Sequence, residues 1–333
     1  MVLNLGRKLV QLILLSRPDW SFIFAGFYFM VALFYALPRD QLFLGWFSMY
    51  LVAMGHLSLN GLYDKETDAA NPRKWSLMNP IAEGSTLLSK KDVFGWVAVL
   101  WSLTLGLNLL LLPHINFIKG ILAVLFFLTC VVFSVLYSAP PVRLKGRPFL
   151  DLVSTFLVFG LAFATYAAFV TVEVTISGVS IMMSSYIPTD IFFVGLLFNI
   201  ILLVGIHLPT VLGDLEADKA AGDVTTAVYL GWEHGSIITV IASWARTLGL
   251  TIVVTYLALT DILSFFIPGL VLAYALALPD IYFSLRLLRN RNRESTVALW
   301  KSIILTSIGG GFVIGFLYFS NNPDLLKQVL ALS

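Results

Sequence analysis

The sequence contains one cysteine, Cys130, inside an apolar run. With no second thiol there is no intramolecular disulfide and no thiolate metal site. A lone cysteine in such a setting reads as a small buried hydrophobe. Charge is scarce as well: Asp, Glu, Lys and Arg make up 12% of the 333 residues, against about 25% in soluble domains. The 21 basic and 19 acidic residues nearly cancel, to a net charge of +2, which leaves no basic surface for nucleic acid. No hydrophilic stretch is long enough to form a second, soluble domain. What remains is a chain that is 59% hydrophobic with a mean hydropathy of +0.90. It could not cover its own surface in water, and it reads as a single polytopic membrane domain, residues 1–333. Residues 1–18 lack a signal-peptide core followed by a small-residue cleavage site, and read as a retained cytoplasmic lead-in with interfacial character.

A bilayer-spanning helix needs about 20 mostly apolar residues. Runs of that kind fall at Phe22–Leu37, Phe43–Leu59, Phe94–Leu112, Ile118–Leu136, Leu150–Val170, Ile191–Leu212, Ser236–Leu259, Ile262–Leu288 and Val297–Phe319. The expected fold is therefore an all-α membrane protein of about nine transmembrane helices bundled around a central cavity. A further mildly apolar stretch, Thr175–Thr189, reads as a re-entrant or surface helix. Placing the N-terminus in the cytoplasm puts all the cations on the inner side except Arg39, Lys119 and Lys327, which fall outside, and Arg246, which falls within a span. That is the bias the positive-inside rule demands, and with nine spans it puts the C-terminus outside. The inner loops are also the long, charged ones.

Two of those inner loops carry spaced carboxylates. After the second span, HLSLNGLYDKETDAANP places Asn60, Asp64 and Asp68 at i, i+4 and i+8. On a helix each step of four drifts only about 40°, so the three share one face. After the sixth span, LPTVLGDLEADKAAGD repeats the spacing with Asp214 and Asp218, followed by Gly222, which can end the helix. Glu216 and Asp223 point elsewhere on the same helical wheel. Oxygen donors on one face suit a hard cation such as Mg²⁺, and neighbouring carboxylates repel each other until a cation joins them. An isolated Asp-x-x-x-Asp would read as a solvated helix end. Two of them, each ending a span on the same side and each interleaved with cations, read instead as a grip for a metal-bound diphosphate. The cations able to bind oxygens that metal leaves free are Arg17, Arg73, Lys74, Arg143 and Lys145. Lys145 follows a stiff Pro140-Pro141 turn. Tyr63 and Tyr137 adjoin the polar clusters and could line a pocket or face a carbocation. Arg246 is an intramembrane charge that needs a function or a partner, and His56, His207 and Asp280 are pocket candidates.

These residues match a pattern. The chain resembles the UbiA superfamily of intramembrane prenyltransferases, which carries N-x-x-x-D-x-x-x-D after its second helix and D-x-x-x-D-x-x-x-G after its sixth. Here these read Asn60–Asp64–Asp68 and Asp214–Asp218–Gly222. The YSAPPVRLK segment resembles the family's loop after helix 4, and Thr225–Gly231 the run after its second motif. There are two departures. Gly61 stands where many relatives have Asp, and Asn79-Pro80 stands where many have Arg-Pro, which leaves one diphosphate contact to Arg73 or Lys74. The resemblance implies that Asn60, Asp64, Asp68, Asp214 and Asp218 hold Mg²⁺. A polyprenyl diphosphate such as geranylgeranyl diphosphate then ionises to an allylic cation, with Lys145 and the arginines steadying the leaving group. A lipophilic acceptor attacks that cation. An aromatic quinone precursor is the leading expectation for the acceptor, with a carotenoid such as lycopene or a glycerol-phosphate lipid as alternatives. The reading from a different class is a cation-coupled transporter. It would place its carboxylates near the bilayer midplane, whereas these lie at the membrane surface. A prokaryotic cell membrane, with the active site facing the cytoplasm, is the expected location.

Overall fold

A computed structural model describes residues 2–34, 39–69, 71, 79–82, 84–111, 117–155, 174–176, 179–181, 205–259 and 266–321. These residues fall into two compact units. The first is Met1–Gly195 with Ala217–Asp223, and the second is Leu196–Glu216 with Val224–Ser333.

The first unit begins with α1 (Val2–Leu15), α2 (Pro18–Phe34), α3 (Arg39–Tyr63) and α4 (Lys65–Ala69). It continues with α5 (Lys90–Leu111), α6 (Phe117–Ser138), a 3-10 turn at Leu144–Gly146 and α7 (Leu150–Thr155). A two-stranded antiparallel hairpin follows, β1 (Val174–Ile176) and β2 (Val179–Ile181), paired Val174 to Ile181 and Ile176 to Val179. This hairpin is the exception to the all-α expectation, and it occupies part of the stretch expected as a re-entrant or surface helix. Its strands, Val-Thr-Ile and Val-Ser-Ile, are rich in the β-branched residues that favour extended backbone.

The second unit contains a helical run at 205–213, followed by the start of α8 (Leu215–Ala221). Beyond these lie α9 (Thr226–Leu259), α10 (Phe266–Arg289) and α11 (Arg293–Asn321). α9 breaks its helical geometry at Gly231, where φ is 65°. Each of the nine expected spans thus overlaps helix within the described residues. Most of the fifth (Leu150–Val170) and most of the sixth (Ile191–Leu212) lie outside them. Among the described residues, Lys90–Leu110 is long and apolar enough to cross a membrane, and Ala123–Ser138 is a shorter apolar helix.

The burial pattern is inverted relative to a water-soluble bundle. Leu103, Leu110, Val132, Ile241, Leu278 and Leu305 are exposed, while Ser48, Ser58, Thr104, Asn108, Ser134, Thr239 and Ser243 are buried. Lipid is as apolar as leucine, so membrane helices associate through close packing and hydrogen bonds between small and polar residues. α3 shows both devices. Gly55 has no side chain where the Trp101 indole of α5 lies, and a Cβ there would fall 2.3 Å from Trp101 Nε1. Gly45 does the same for Tyr28 of α2.

α1 is docked rather than trailing. Leu15 joins Leu59, Leu62, Leu88, Val93 and Val97 in one buried cluster, with Leu12 packed against it. Lys8 pairs with Asp92 at 3.1 Å. The Ser16 hydroxyl shares a 2.8 Å hydrogen bond with that of Ser58 and accepts another from Trp96 Nε1. Asp92 also takes part in a capping box that starts α5. Ser89 N donates to its carboxylate, and Ser89 Oγ accepts from the Asp92 N–H.

Candidate active site

The first unit gathers the site. Asn60 lies in the last turn of α3 and Asp68 lies in α4, with Asp64 at the joint between them. The joint does not disturb the register, because Asp64 N donates to Asn60 O at 2.9 Å and Asp68 N to Asp64 O at 2.7 Å. The i, i+4, i+8 face read from the sequence is therefore real, and all three side chains are buried.

A buried carboxylate needs a partner, since desolvation of a lone charge is prohibitive. Asp64 receives Lys145 Nζ, and Arg143 Nη2 stands 3.8 Å from the same oxygen. Asp68 receives Arg17 Nη2 at 2.9 Å and Asn79 Nδ2 at 2.8 Å. Arg143 is held in turn by Asp223 at 2.8 Å. Three carboxylates thus meet three cations. The cations come from sharp turns in the chain: Arg17 (φ 45°) joins α1 to α2, and Arg143 (φ 40°) follows the cis Pro140–Pro141 peptide. Both φ values lie in the left-handed region that side chains rarely adopt, a cost found at functional sites. Asp218, buried in α8, belongs to this unit too.

Two residues of this cluster were not read from the sequence as site members. Asp223 was expected to point away. Gly222, with φ 81°, ends the helix and turns the chain, so the helical wheel no longer applies beyond it. Asp223 N then donates back to Asp218 O at 3.0 Å, and the carboxylate reaches Arg143. Gly146 makes room for this, since a Cβ on it would lie 3.0 Å from Asp223 Oδ1. Asn79 was noted only as a departure from the family pattern. Its amide nitrogen bridges Asp68 and the Gly61 carbonyl, and its oxygen accepts from the Ile81 and Ala82 N–H groups.

Other expected members fall elsewhere. Tyr63 packs against the Leu15–Leu59–Leu62 cluster, with core apolar neighbours. Tyr137 stacks obliquely on His56, ring centroids 5.3 Å apart. Four residues before Asn60 on α3, His56 continues the carboxylate face inward. Glu216, in the second unit, accepts from Trp232 Nε1 at 2.9 Å. Arg73 and Lys74 lie outside the described residues. Asp214 and His207 belong to the second unit, where Arg246 pairs with Asp280. Among the described residues, no three His, Cys, Asp or Glu side chains converge as a ready metal cage. The carboxylates are held by cations instead.

The profile of the UbiA prenyltransferase family matches residues 20–308, which include both aspartate motifs. The chain belongs to this family. Like other UbiA proteins it is an integral membrane enzyme. It is 30% identical over 235 residues to a lycopene elongase/hydratase of Haloferax volcanii, covering 68% of this chain and 67% of that protein. A second lycopene elongase/hydratase, from Haloarcula japonica, is 30% identical over 187 residues, covering 55% of this chain and 53% of that protein. The fold matches a UbiA homologue from Archaeoglobus fulgidus solved with DMAPP and Mg²⁺, with a TM-score of 0.55 and 21% identity, covering 91% of this chain and 98% of that one. In this UbiA chain the second motif ends in Gly222, and Asp223 just beyond it belongs to the charge cluster.

Proposed function

We propose that this enzyme transfers a prenyl group from an isoprenoid diphosphate to a long polyene acceptor of the lycopene type, with Mg²⁺ as cofactor, and that residues 1–333 act as one prenyltransferase. The observation that carries the reading is the pairing of Asp64 and Asp68, the buried carboxylates of the first motif, with cations that can themselves bind phosphate oxygens. The donor set fits the metal. Asn60, Asp64, Asp68 and Asp218 offer only hard oxygen ligands, and Asp214, one turn before Asp218, is assigned the same duty from its motif. When bound, Mg²⁺ supplies Lewis-acid neutralisation of the departing diphosphate. The chain's own part is then an exchange of partners. Lys145 leaves Asp64 and Arg17 leaves Asp68, and both turn to diphosphate oxygens. Arg143, still held by Asp223, adds a charge-assisted hydrogen bond. Buried surroundings keep water from the allylic cation.

The lycopene-type acceptor rests on the similarity to the two haloarchaeal enzymes. The aromatic quinone precursor remains the second reading, and it rests on how common such acceptors are in the family rather than on a residue of this chain. The distribution of cations favours a site facing the cytoplasm of a prokaryotic cell membrane, with the N-terminus inside and the C-terminus outside.

The test is diphosphate release by the purified enzyme, with and without Mg²⁺. Donors would be dimethylallyl, geranyl and geranylgeranyl diphosphates, and acceptors lycopene, an aromatic quinone precursor and a glycerol-phosphate lipid. Mg²⁺-dependent release with lycopene is expected. Release with the aromatic acceptor alone would replace the polyene. Silence with every pair, from folded protein, would favour the transporter.

Asn79 gives a finer prediction. Removing an outer group that orients a metal ligand typically costs 10- to 100-fold in metal affinity or activity. Asn79→Ala leaves Asp68 with Arg17, and the Mg²⁺ concentration for half-maximal rate is expected to rise by about tenfold or more. A Mg²⁺ titration of diphosphate release reads it directly, and an unchanged midpoint would mean that Asn79 only shapes the loop.

A further inference from the structure

The second unit contains buried polar groups that the reaction does not use. On α9, Ser236, Thr239, Ser243 and Arg246 recur at steps of three and four, which places them on one face. All four are at most 2% exposed. α10 contributes Asp280 and, one turn on, Ser284, both fully buried. α11 contributes Ser302 and Thr306. A tie fixes the level at which these faces meet. Arg246 pairs with Asp280, and Asp280 accepts from the Ser302 and Thr306 hydroxyls. Arg246 also donates to Ser307 Oγ at 3.0 Å.

From that level α9 and α10 carry polar groups in one direction. Consecutive packed helices run antiparallel, and the Asn290–Asn292 turn joins α10 to α11. Moving back along α9 from Arg246 to Ser236 therefore matches moving forward along α10 from Asp280 to Ser284. The direction leads to the end where Arg286, Arg289 and Arg293 lie. Ten residues of α9 make a track about 15 Å long.

The hydroxyls along this track are unusual in one respect. The hydroxyls of Ser236, Thr239, Ser243 and Ser284, and the Arg246 Nε, are buried and, among the described residues, hydrogen-bond no other protein group. Elsewhere on the same helix Thr247 donates to Ser243 O and Thr251 to Thr247 O, the usual way a helix absorbs a hydroxyl. The inner hydroxyls do not follow that pattern. A buried polar group without a partner is costly, and ordered water making about three hydrogen bonds is the usual remedy.

We propose that the α9–α10–α11 bundle holds a file of ordered water molecules along Ser236, Thr239, Ser243 and Ser284, ending at the Arg246 guanidinium. This file would hydrate one edge of the Arg246–Asp280 pair.

The decisive experiment is a structure of the full-length enzyme in lipid, at a resolution that shows ordered water. Density within hydrogen-bonding distance of the Thr239, Ser243 and Ser284 hydroxyls, continuing to Arg246 Nε, is expected. Hydroxyls turned onto their own helix carbonyls with no density between the helices would overturn the proposal. Thermal unfolding of Thr239→Val and Ser243→Ala gives an independent sign. If water bridges these groups, each variant should melt lower, by about 2–4 °C. If the hydroxyls are dry and unpaired, removing them leaves the melting temperature unchanged or raises it, which counts against the water file.

Discussion

Asp64→Asn is expected to lower diphosphate release by about a thousandfold or more, the scale seen when preorganised charge stabilisation is lost. Asp64 is where two of the three cations converge, with Lys145 in contact and Arg143 at 3.8 Å. The substitution keeps the shape but removes the charge. It weakens the donor set for a hard divalent cation and leaves Lys145 without its buried counter-ion. A contrast separates these effects. Asp223→Asn removes a carboxylate from the same cluster but touches neither motif, and a loss of only about tenfold is expected from a group that acts through Arg143. Single-turnover assays, with thermal unfolding to confirm folded protein, check both. Equal losses in the two variants would show that net charge matters and that the motif position does not. Unchanged turnover in Asp64→Asn would remove the metal-site assignment altogether.

Arg246→Met is expected to destabilise the second unit by about 3–5 kcal/mol, because it strands Asp280 as a buried charge. Asp280→Leu should do the same from the other side. The double variant, Arg246→Met with Asp280→Leu, should recover most of the loss. Replacing a whole buried pair with apolar side chains is often neutral or better. Gly205 leaves the room that the Arg246 stem occupies, since a Cβ on it would lie 2.9 Å from Arg246 Cβ. Unfolding in detergent, followed as a double-mutant cycle, reads the coupling. Additive losses would mean that Arg246 is held by Ser307 and Thr306 as much as by Asp280.

The parts of the molecule that could be read in advance are those where local periodicity governs. The apolar runs became helices because a membrane-embedded backbone must satisfy its own hydrogen bonds. The Asn60, Asp64, Asp68 face survived because the backbone carries helical bonds straight through the α3–α4 joint. Arg246 and Asp280 could each be flagged as charges needing a partner, though their mutual pairing depends on helix packing. Asp223 and Asn79 were beyond reach for a shared reason. Each is delivered by a turn, so its direction depends on a few dihedral angles rather than on spacing. A positive φ at Gly222 reverses the wheel for Asp223, and Asn79 closes a loop back onto Gly61 and Asp68. Tyr63 shows the converse. Its neighbours in sequence are polar, yet the α3 face it occupies points into the leucine cluster.

The docking of α1 has a further consequence. Lys8 is tied to Asp92 and Ser16 to Ser58, so the stretch between them is fastened at both ends, and Arg17 follows directly upon the second fastening. The spacing from Lys8 to Arg17 therefore works as a ruler. One residue added within it would swing the guanidinium about 100° around the helix axis and away from Asp68, whereas chain added ahead of Lys8 would leave the measured length untouched. Insertions and deletions should thus be tolerated on one side of Lys8 and selected against on the other, in a segment that contributes a single side chain to the chemistry.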